Sequence, residues 1–324
     1  MDKKRIGQGL EISALGLGCM GMTGFYGTTD RKECEKVIQT AFEQGVTLFD
    51  TADNYGLGEN EELLGRAVAP FRSHVTIATK VGVFRGKDTI SINGKPAYIK
   101  EQCLRSLRRL GVSTIDLYYL HHLDPHTPIE ETMHAMKELV REGKVRYIGL
   151  GEVGSENIRR AQKIHPIAAV QAEFSLFSRE TEHLLIPLCD ELGIGFIACA
   201  PLCRGLLTGT ISSFSALQSN DFRTLFPRFS EKNLPHNSQI VEGLRKIADR
   251  KACSLSQLAL GWIASKCPSV IPLFGTTRAP HLIENLSTIQ LTATEMDAIH
   301  ELISHASVQG DRLTDTARPL YRPD

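Results

Sequence analysis

Four residues able to hold charge or move a proton stand at or just past short apolar runs. Asp50 lies in Thr47–Thr51, Lys80 ends Val75–Lys80, His121 ends Ile115–His121, and Tyr55 follows in the loop Asp50-Thr51-Ala52-Asp53-Asn54-Tyr55-Gly56. An ammonium beside a phenol favours the phenolate, and a carboxylate beside that ammonium holds it in place. An imidazole adds a hydrogen-bond donor for an oxygen. Together these types suit proton transfer to or from a small oxygen-bearing substrate. Taken singly, each has an ordinary explanation: Asp50 and Lys80 as a buried ion pair, Tyr55 as a lid anchor, His121 as a hydrogen-bonded rim residue. Jointly they are better explained as a site, because an Asp–Lys pair beside a tyrosine lowers a phenol's pKa.

Two other patterns point elsewhere. His121-His122-Leu123-Asp124-Pro125-His126 gathers metal-ligand types, but it contains no H-x-H or H-E-x-x-H. Consecutive strand residues face opposite sides, so His121 and His122 are expected to diverge, and no metal is expected. Gly16-Leu17-Gly18-Cys19-Met20-Gly21 matches G-x-G-x-x-G. A dinucleotide-binding helix begins at the third glycine, whereas here residues 22–29 intervene before Asp30 can cap one. A sharp turn near a ligand or in a barrel mouth fits better.

Bringing these residues together requires strands that end at one place. Further apolar, unalternated runs are Val145–Gly149, Ala168–Phe174, Gly195–Pro201 and Val270–Gly275. Such runs are buried on both faces, as in a parallel sheet covered by helices. Between them lie helix-like segments: Asp30 to Gly45; a capping box at Thr127-Pro128-Ile129-Glu130 with a stop at Gly143; Ser155 to Ile164; and Thr181 to Gly193. Counting Leu15–Gly18 as the first strand gives eight strand–helix units, the number that closes an α/β (β/α)₈ TIM barrel, whose chemistry sits at the C-terminal strand ends. Ile6 to Leu10 suggests an N-terminal β-hairpin. With no linker or composition break, residues 1–324 read as one domain. Leu206 to Pro235 lacks periodicity and is expected to be a lid or binding loop.

The 324 residues are 42% hydrophobic and 23% charged, so a packed core is expected. Lys+Arg and Asp+Glu balance at 37 each, leaving no net field to draw the chain to nucleic acid or an anionic membrane. No long apolar span or leader-like run occurs, so a cytoplasmic location is expected. The eight scattered cysteines are then expected to be reduced core residues.

Phe49-Asp50-Thr51-Ala52-Asp53-Asn54-Tyr55-Gly56, Thr79-Lys80, Asp116-Leu117-Tyr118-Tyr119-Leu120-His121, Val170-Gln171, Pro201 through Gly209 and Glu284-Asn285 resemble the aldo-keto reductase superfamily over essentially the whole chain. Gly149-Leu150-Gly151-Glu152 and His165 through Gln171 are most similar to its auxin-induced-protein and pyridoxal-reductase-like branch. The resemblance implies a (β/α)₈ barrel that transfers hydride from NADPH to a small-molecule aldehyde or ketone without metal. It implies a monomer or homo-oligomer. Tyr55 would be the general acid, Lys80 its electrostatic partner, Asp50 the holder of Lys80, and His121 a donor to the carbonyl oxygen.

The implied cofactor shell comprises Cys19, Met20, Asp50, Gly151, Glu152, Gln171, Cys199, Ala200, Pro201, Leu202, Arg204, Gly205 and Leu207 toward the nicotinamide and pyrophosphate. Gly275, Thr276, Thr277, Arg278, His281, Glu284 and Asn285 would meet the adenine end, with Arg278 favouring NADPH. Three residues depart from the family pattern. Gly151 stands where serine is usual, Ala200 lacks a hydroxyl, and Cys199 replaces the aromatic that stacks on nicotinamide, a contact worth roughly 0.5–1.5 kcal/mol. These departures motivate an alternative, an NADP(H)-binding regulatory module of slow turnover resembling potassium-channel β subunits. Met20, Tyr26, Tyr55, Phe84 and His121, with Phe25, are expected to line the substrate pocket, and Cys199 is a candidate for oxidation.

Overall fold

Two short strands of partly alternating burial open the chain, β1 (Lys3–Ile6) and β2 (Leu10–Ser13), paired antiparallel in the computed structural model, which describes residues 1–85, 90–314 and 318. Eight parallel strands follow and close on themselves: β3 (Gly16–Gly18), β4 (Leu48–Asp50), β5 (Thr76–Val81), β8 (Ile115–Leu120), β9 (Val145–Gly151), β10 (Ile167–Glu173), β11 (Gly195–Cys199) and β12 (Ile271–Gly275). Pairing of β12 with β3 completes the barrel. A small hairpin, β6 (Val83–Arg85) and β7 (Ile90–Ile92), follows β5.

The helices are α1 (Arg31–Glu43), α2 (Glu59–Val68), α3 (Pro96–Leu110), α4 (Ile129–Arg141), α5 (Ser155–Ile164), α6 (Leu185–Leu192), α7 (Leu234–Lys251), α8 (Leu255–Lys266), α9 (Ala279–Leu286) and α10 (Ala293–His305). Asp30 caps α1 by accepting from the Lys32 and Glu33 N–H groups, as its position predicts. The capping box expected at α4 does not form. Pro128 is the N-cap, the Thr127 hydroxyl donates to Asp124 instead (2.8 Å), and Glu130 pairs with Arg160 (2.8 Å). The helix expected from Thr181 begins only at Leu185, because Glu180–Glu182 forms a separate 3₁₀ turn. Two helices, α7 and α8, follow the long loop after β11, and α7 packs on α10.

The period of two along each strand decides what lies inside. Leu48, Ala78, Leu117, Tyr119, Ala169, Ile197, Ile271 and Leu273 fill the barrel, and Ile6, Leu10 and Ile12 of the hairpin pack against them. A second apolar layer lies between strands and helices. No helix of the described residues is long and apolar enough to cross a membrane.

Candidate active site

Two residues beyond the interior layer, on the same face of each strand, stand Asp50 after Leu48, Lys80 after Ala78, His121 after Tyr119, Gln171 after Ala169 and Cys199 after Ile197. The candidate residues are therefore the last layer of the barrel interior at its C-terminal mouth. Lys80 and Asp50 are both almost completely buried and form an ion pair. The Lys80 ammonium also donates to the Thr51 carbonyl (2.8 Å), and the Gln171 amide donates to the second Asp50 oxygen (2.9 Å). A buried pair of this kind is held by such additional hydrogen bonds, since either charge alone would bear a large desolvation cost.

Tyr55 enters from the turn Tyr55–Gly58, in which Gly56, Leu57 and Gly58 all have positive φ. Glycine carries two of those three positions, and a side chain at 58 would meet Arg109. The loop is tied down by buried Asn60, which accepts from Thr51 (2.6 Å) and donates to the Cys19 carbonyl (2.8 Å) and Thr23 (2.9 Å). Buried Glu61 accepts from Thr79 (2.6 Å) and Arg109 (2.6 Å). The Lys80 ammonium lies 5.2 Å from the Tyr55 ring centroid, and the His121 and Phe25 rings meet Tyr55 edge-on at 6.0 and 5.5 Å.

The expected lowering of the Tyr55 pKa by Lys80 is not what this geometry gives. Burial first, then the Asp50 carboxylate, push the phenol well above its usual value, because Asp50 offsets the lysine charge it pairs with. Burial likewise raises the Cys199 thiol, which works against the expected oxidation there, since the thiolate is the reactive form. The expectation that His121 and His122 diverge also fails. The strand ends at Leu120, the chain turns, and the two rings stack at 4.8 Å with 16° between planes. Among the described residues no group of three metal-ligating side chains is found.

These groups border one cleft of 480 Å³. Of the predicted cofactor and substrate residues, the cleft is lined by Met20 and Tyr26; Gly151, Glu152 and Gln171; Cys199 to Leu202, Arg204 and Gly205; and Gly275, Thr276, Thr277 and His281. It therefore runs from the Asp50–Lys80 pair to the β12–α9 junction. The side chains of Cys19 and Leu207 are buried in the core instead. Phe84 does not line the cleft: it is 52% exposed, while its neighbour Val83 and Ile92 of the paired strand face inward. Arg278 and Glu284 lie near the β12 end without lining the cleft, and Asn285 is buried on α9.

The comparisons follow the same lines. The model of the aldo/keto reductase family matches residues 14–304. A probable aldo-keto reductase from Glycine max is 42% identical over 310 residues, 94% of this chain and 89% of that one. The chain belongs to the aldo/keto reductase family. A glycerol dehydrogenase from Gluconobacter oxydans superposes with a TM-score of 0.85 at 28% identity, covering 96% of this chain and 97% of the other. An aldo-keto reductase from Bacillus halodurans gives 0.75 at 27% identity over 97% and 98%.

Within this family framework, one departure from the expected shell has a local cause. A Cβ on Gly151 would lie 2.5 Å from the His121 carbonyl oxygen, so only glycine admits that close approach. Sequence reasoning missed the C-terminal contribution. Arg312, Leu313 and Thr314 line the cleft, and Arg312 grips the Glu152 carboxylate with both terminal nitrogens (3.2 and 2.9 Å). Buried Glu173 is flanked by Arg204 (2.8 Å) and Arg228 (3.5 Å). Burial alone would raise its pKa, but the arginines outweigh it and hold the carboxyl below the usual range. Phe222, Arg223 and Phe226, from the loop expected to be a lid, also border the cleft. No periodicity or motif marks these positions, which meet the site only through tertiary folding.

Proposed function

We propose that the protein reduces aldehydes or ketones to alcohols with NADPH, with Tyr55 as the general acid. The observation that carries this reading is the buried Lys80–Asp50 pair standing beside a buried tyrosine and an imidazole, at the mouth of the barrel and on the wall of one cleft. Tyr55, kept protonated by burial and by Asp50, has a proton to give to an oxygen that becomes negative during reduction. Asp50 fixes the lysine, Gln171 fixes Asp50, and His121 faces the same space to bind and orient the carbonyl oxygen. The apolar side chains of Phe25, Val83, Ile92 and Leu313 line the same cleft and would help exclude water from that oxygen.

The residues present fit a nicotinamide dinucleotide. The cleft is long, its far end carries Thr276, Thr277 and His281, and buried Asn285 has a side-chain oxygen with no hydrogen-bond partner among the described residues. Glu152, Gln171, Cys199 and Ala200 would hold the nicotinamide end, Arg204 and Gly205 the pyrophosphate, and Arg278 a 2′-phosphate. When bound, the nucleotide supplies the hydride. The non-catalytic reading loses one of its motives, because Gly151 answers to the packing of His121.

The test is Tyr55→Phe, followed as NADPH consumption at 340 nm with an aldehyde such as 4-nitrobenzaldehyde and as NADPH binding by fluorescence. Turnover is expected to fall by about 10²-fold or more with binding retained. Loss of binding together with turnover would remove the acid role from Tyr55. NADPH binding by a parent protein that reduces no aldehyde in a broad panel would favour the regulatory reading.

A further inference from the structure

Two carboxylates meet where β9 and β10 end. The Glu173 N–H, on the last residue of β10, donates to Glu152 Oε1 (2.9 Å), just past β9. Like charges in one neighbourhood repel unless they share a cation, and Arg312 is shared. Its terminal nitrogens donate to Glu152 at 3.2 and 2.9 Å, and it lies 4.0 Å from Glu173. Glu173 has two further cations, Arg204 (2.8 Å) and Arg228 (3.5 Å). Among the described residues Arg312 is the one cation paired with Glu152. The Glu152 backbone is fixed as well, with a left-handed φ of 49° and its N–H donating to the Gln171 carbonyl (2.9 Å). A carboxylate has about four acceptor positions. The Glu173 N–H and the two Arg312 nitrogens take three of them, so the fourth is on Oε2.

We propose that Arg312 is a positioning residue for the nicotinamide: its two-pronged grip holds the Glu152 carboxylate in the orientation that leaves one acceptor on Oε2 for the carboxamide N–H of the nucleotide. This role rests on the NADPH-dependent reading above, in which Glu152, bordering the cleft with Gln171 and Cys199, holds the nicotinamide end. The last torsion of a glutamate side chain is broad, and one bond from the Glu173 N–H leaves the carboxylate free to turn about it. Two parallel bonds from a planar guanidinium remove that freedom, and the positive charge offsets the repulsion of Glu173. Arg312 also seats Leu313 on the wall of the cleft, so orientation of Glu152 has to be separated from cover by Leu313.

Binding measurements make that separation without turnover. NADPH and adenosine 2′,5′-bisphosphate, which has the adenine-end phosphates but no nicotinamide, are titrated by calorimetry into the parent, Arg312→Gln, Glu152→Gln and the double variant. Arg312→Gln is expected to weaken NADPH roughly five- to tenfold and to leave the bisphosphate within about twofold of the parent. In the Glu152→Gln background the same change is expected to add less than about twofold, because a residue that acts through Glu152 has nothing left to orient. Equal weakening of both ligands would overturn the proposal, since Arg312 would then support the fold as a whole. Unchanged NADPH binding in Arg312→Gln would overturn it too. Losses that multiply in the double variant would overturn it as well and assign the effect to the cover by Leu313. A parent that binds no NADPH would overturn both this role and the reductase reading. A parent that gives the expected binding pattern but reduces no aldehyde would leave the role of Arg312 in place and count against the reductase reading alone.

Discussion

Tyr55 keeps its proton because it is buried beside a carboxylate, and that is the state the proposed general acid would need before it meets a carbonyl. His122 shows the same physics with the opposite sign. Its folded pKa is lowered from 6.5 to about 3, whereas the unfolded chain takes up a proton near 6.5. The stabilisation from keeping it neutral is present above about pH 6.5 and is lost progressively as pH falls toward 3, by about 2 kcal/mol at pH 5. In His122→Phe this contribution is gone. The drop in Tm between pH 7 and pH 5 is therefore expected to be smaller in the variant than in the parent, measured by thermal denaturation of both in matched buffers. Equal drops would mean that His122 accepts a proton in the folded protein at ordinary acidic pH.

The loops after β3 and β11 clasp each other beside the cleft, and that contact belongs to the scale of elements. The Phe222 N–H donates to the Phe25 carbonyl (2.9 Å), their rings meet edge-on at 5.7 Å, and the Thr28 N–H reaches Gln218 (3.3 Å). Arg223 centres the clasp. It pairs with Asp221 (2.6 Å), lies 4.9 Å over the Tyr26 ring, and donates to the Arg204 carbonyl (3.2 Å). Arg223→Ala removes the cation–π contact and the carbonyl bond together. It is expected to speed chymotrypsin cleavage within 206–235 severalfold without lowering Tm by more than a few degrees, read by limited proteolysis and mass spectrometry. An unchanged cleavage rate would mean that the backbone bond at Phe222 and the ring contacts suffice.

Across the whole molecule, the barrel is plugged at one end and bordered at its mouth by segments outside the family match at 14–304. At the N-terminal end the β1–β2 hairpin plugs the interior, with fully buried Ile12 packed among Leu48, Leu117, Ala169 and Ile271. At the mouth, residues 306–314 cross from α10 to the cleft. Gln309 and Asn237 exchange hydrogen bonds in both directions (2.9 Å each), and Arg312 ends the crossing on Glu152. The two segments carry different duties. Ile12→Ala is expected to cost about 2–5 kcal/mol by chemical denaturation, while turnover per folded molecule stays at the parent level, since the plug lies at the opposite end from the cleft. A matching loss of turnover would show that the plug sets the geometry of the mouth.

The sequence by itself determined the eight barrel strands and the residues at their ends, though not the β6–β7 hairpin. Apolar runs bounded by glycine and polar residues are local signals, and the period of two carries Asp50, Lys80, His121, Gln171 and Cys199 to one face without reference to anything distant. Only the tertiary structure decided the directions of side chains beyond the strand ends and the contacts made across hundreds of residues. Phe84 faces outward because the β6–β7 pairing sets its side, and His122 folds onto His121 because the strand stops one residue earlier. Gly151 is glycine because the carbonyl of His121, just past β8, comes too close, and Arg312 reaches Glu152 across 160 positions. Periodicity is a property of neighbours along the chain, whereas charge balance, burial and ring stacking belong to neighbours in space.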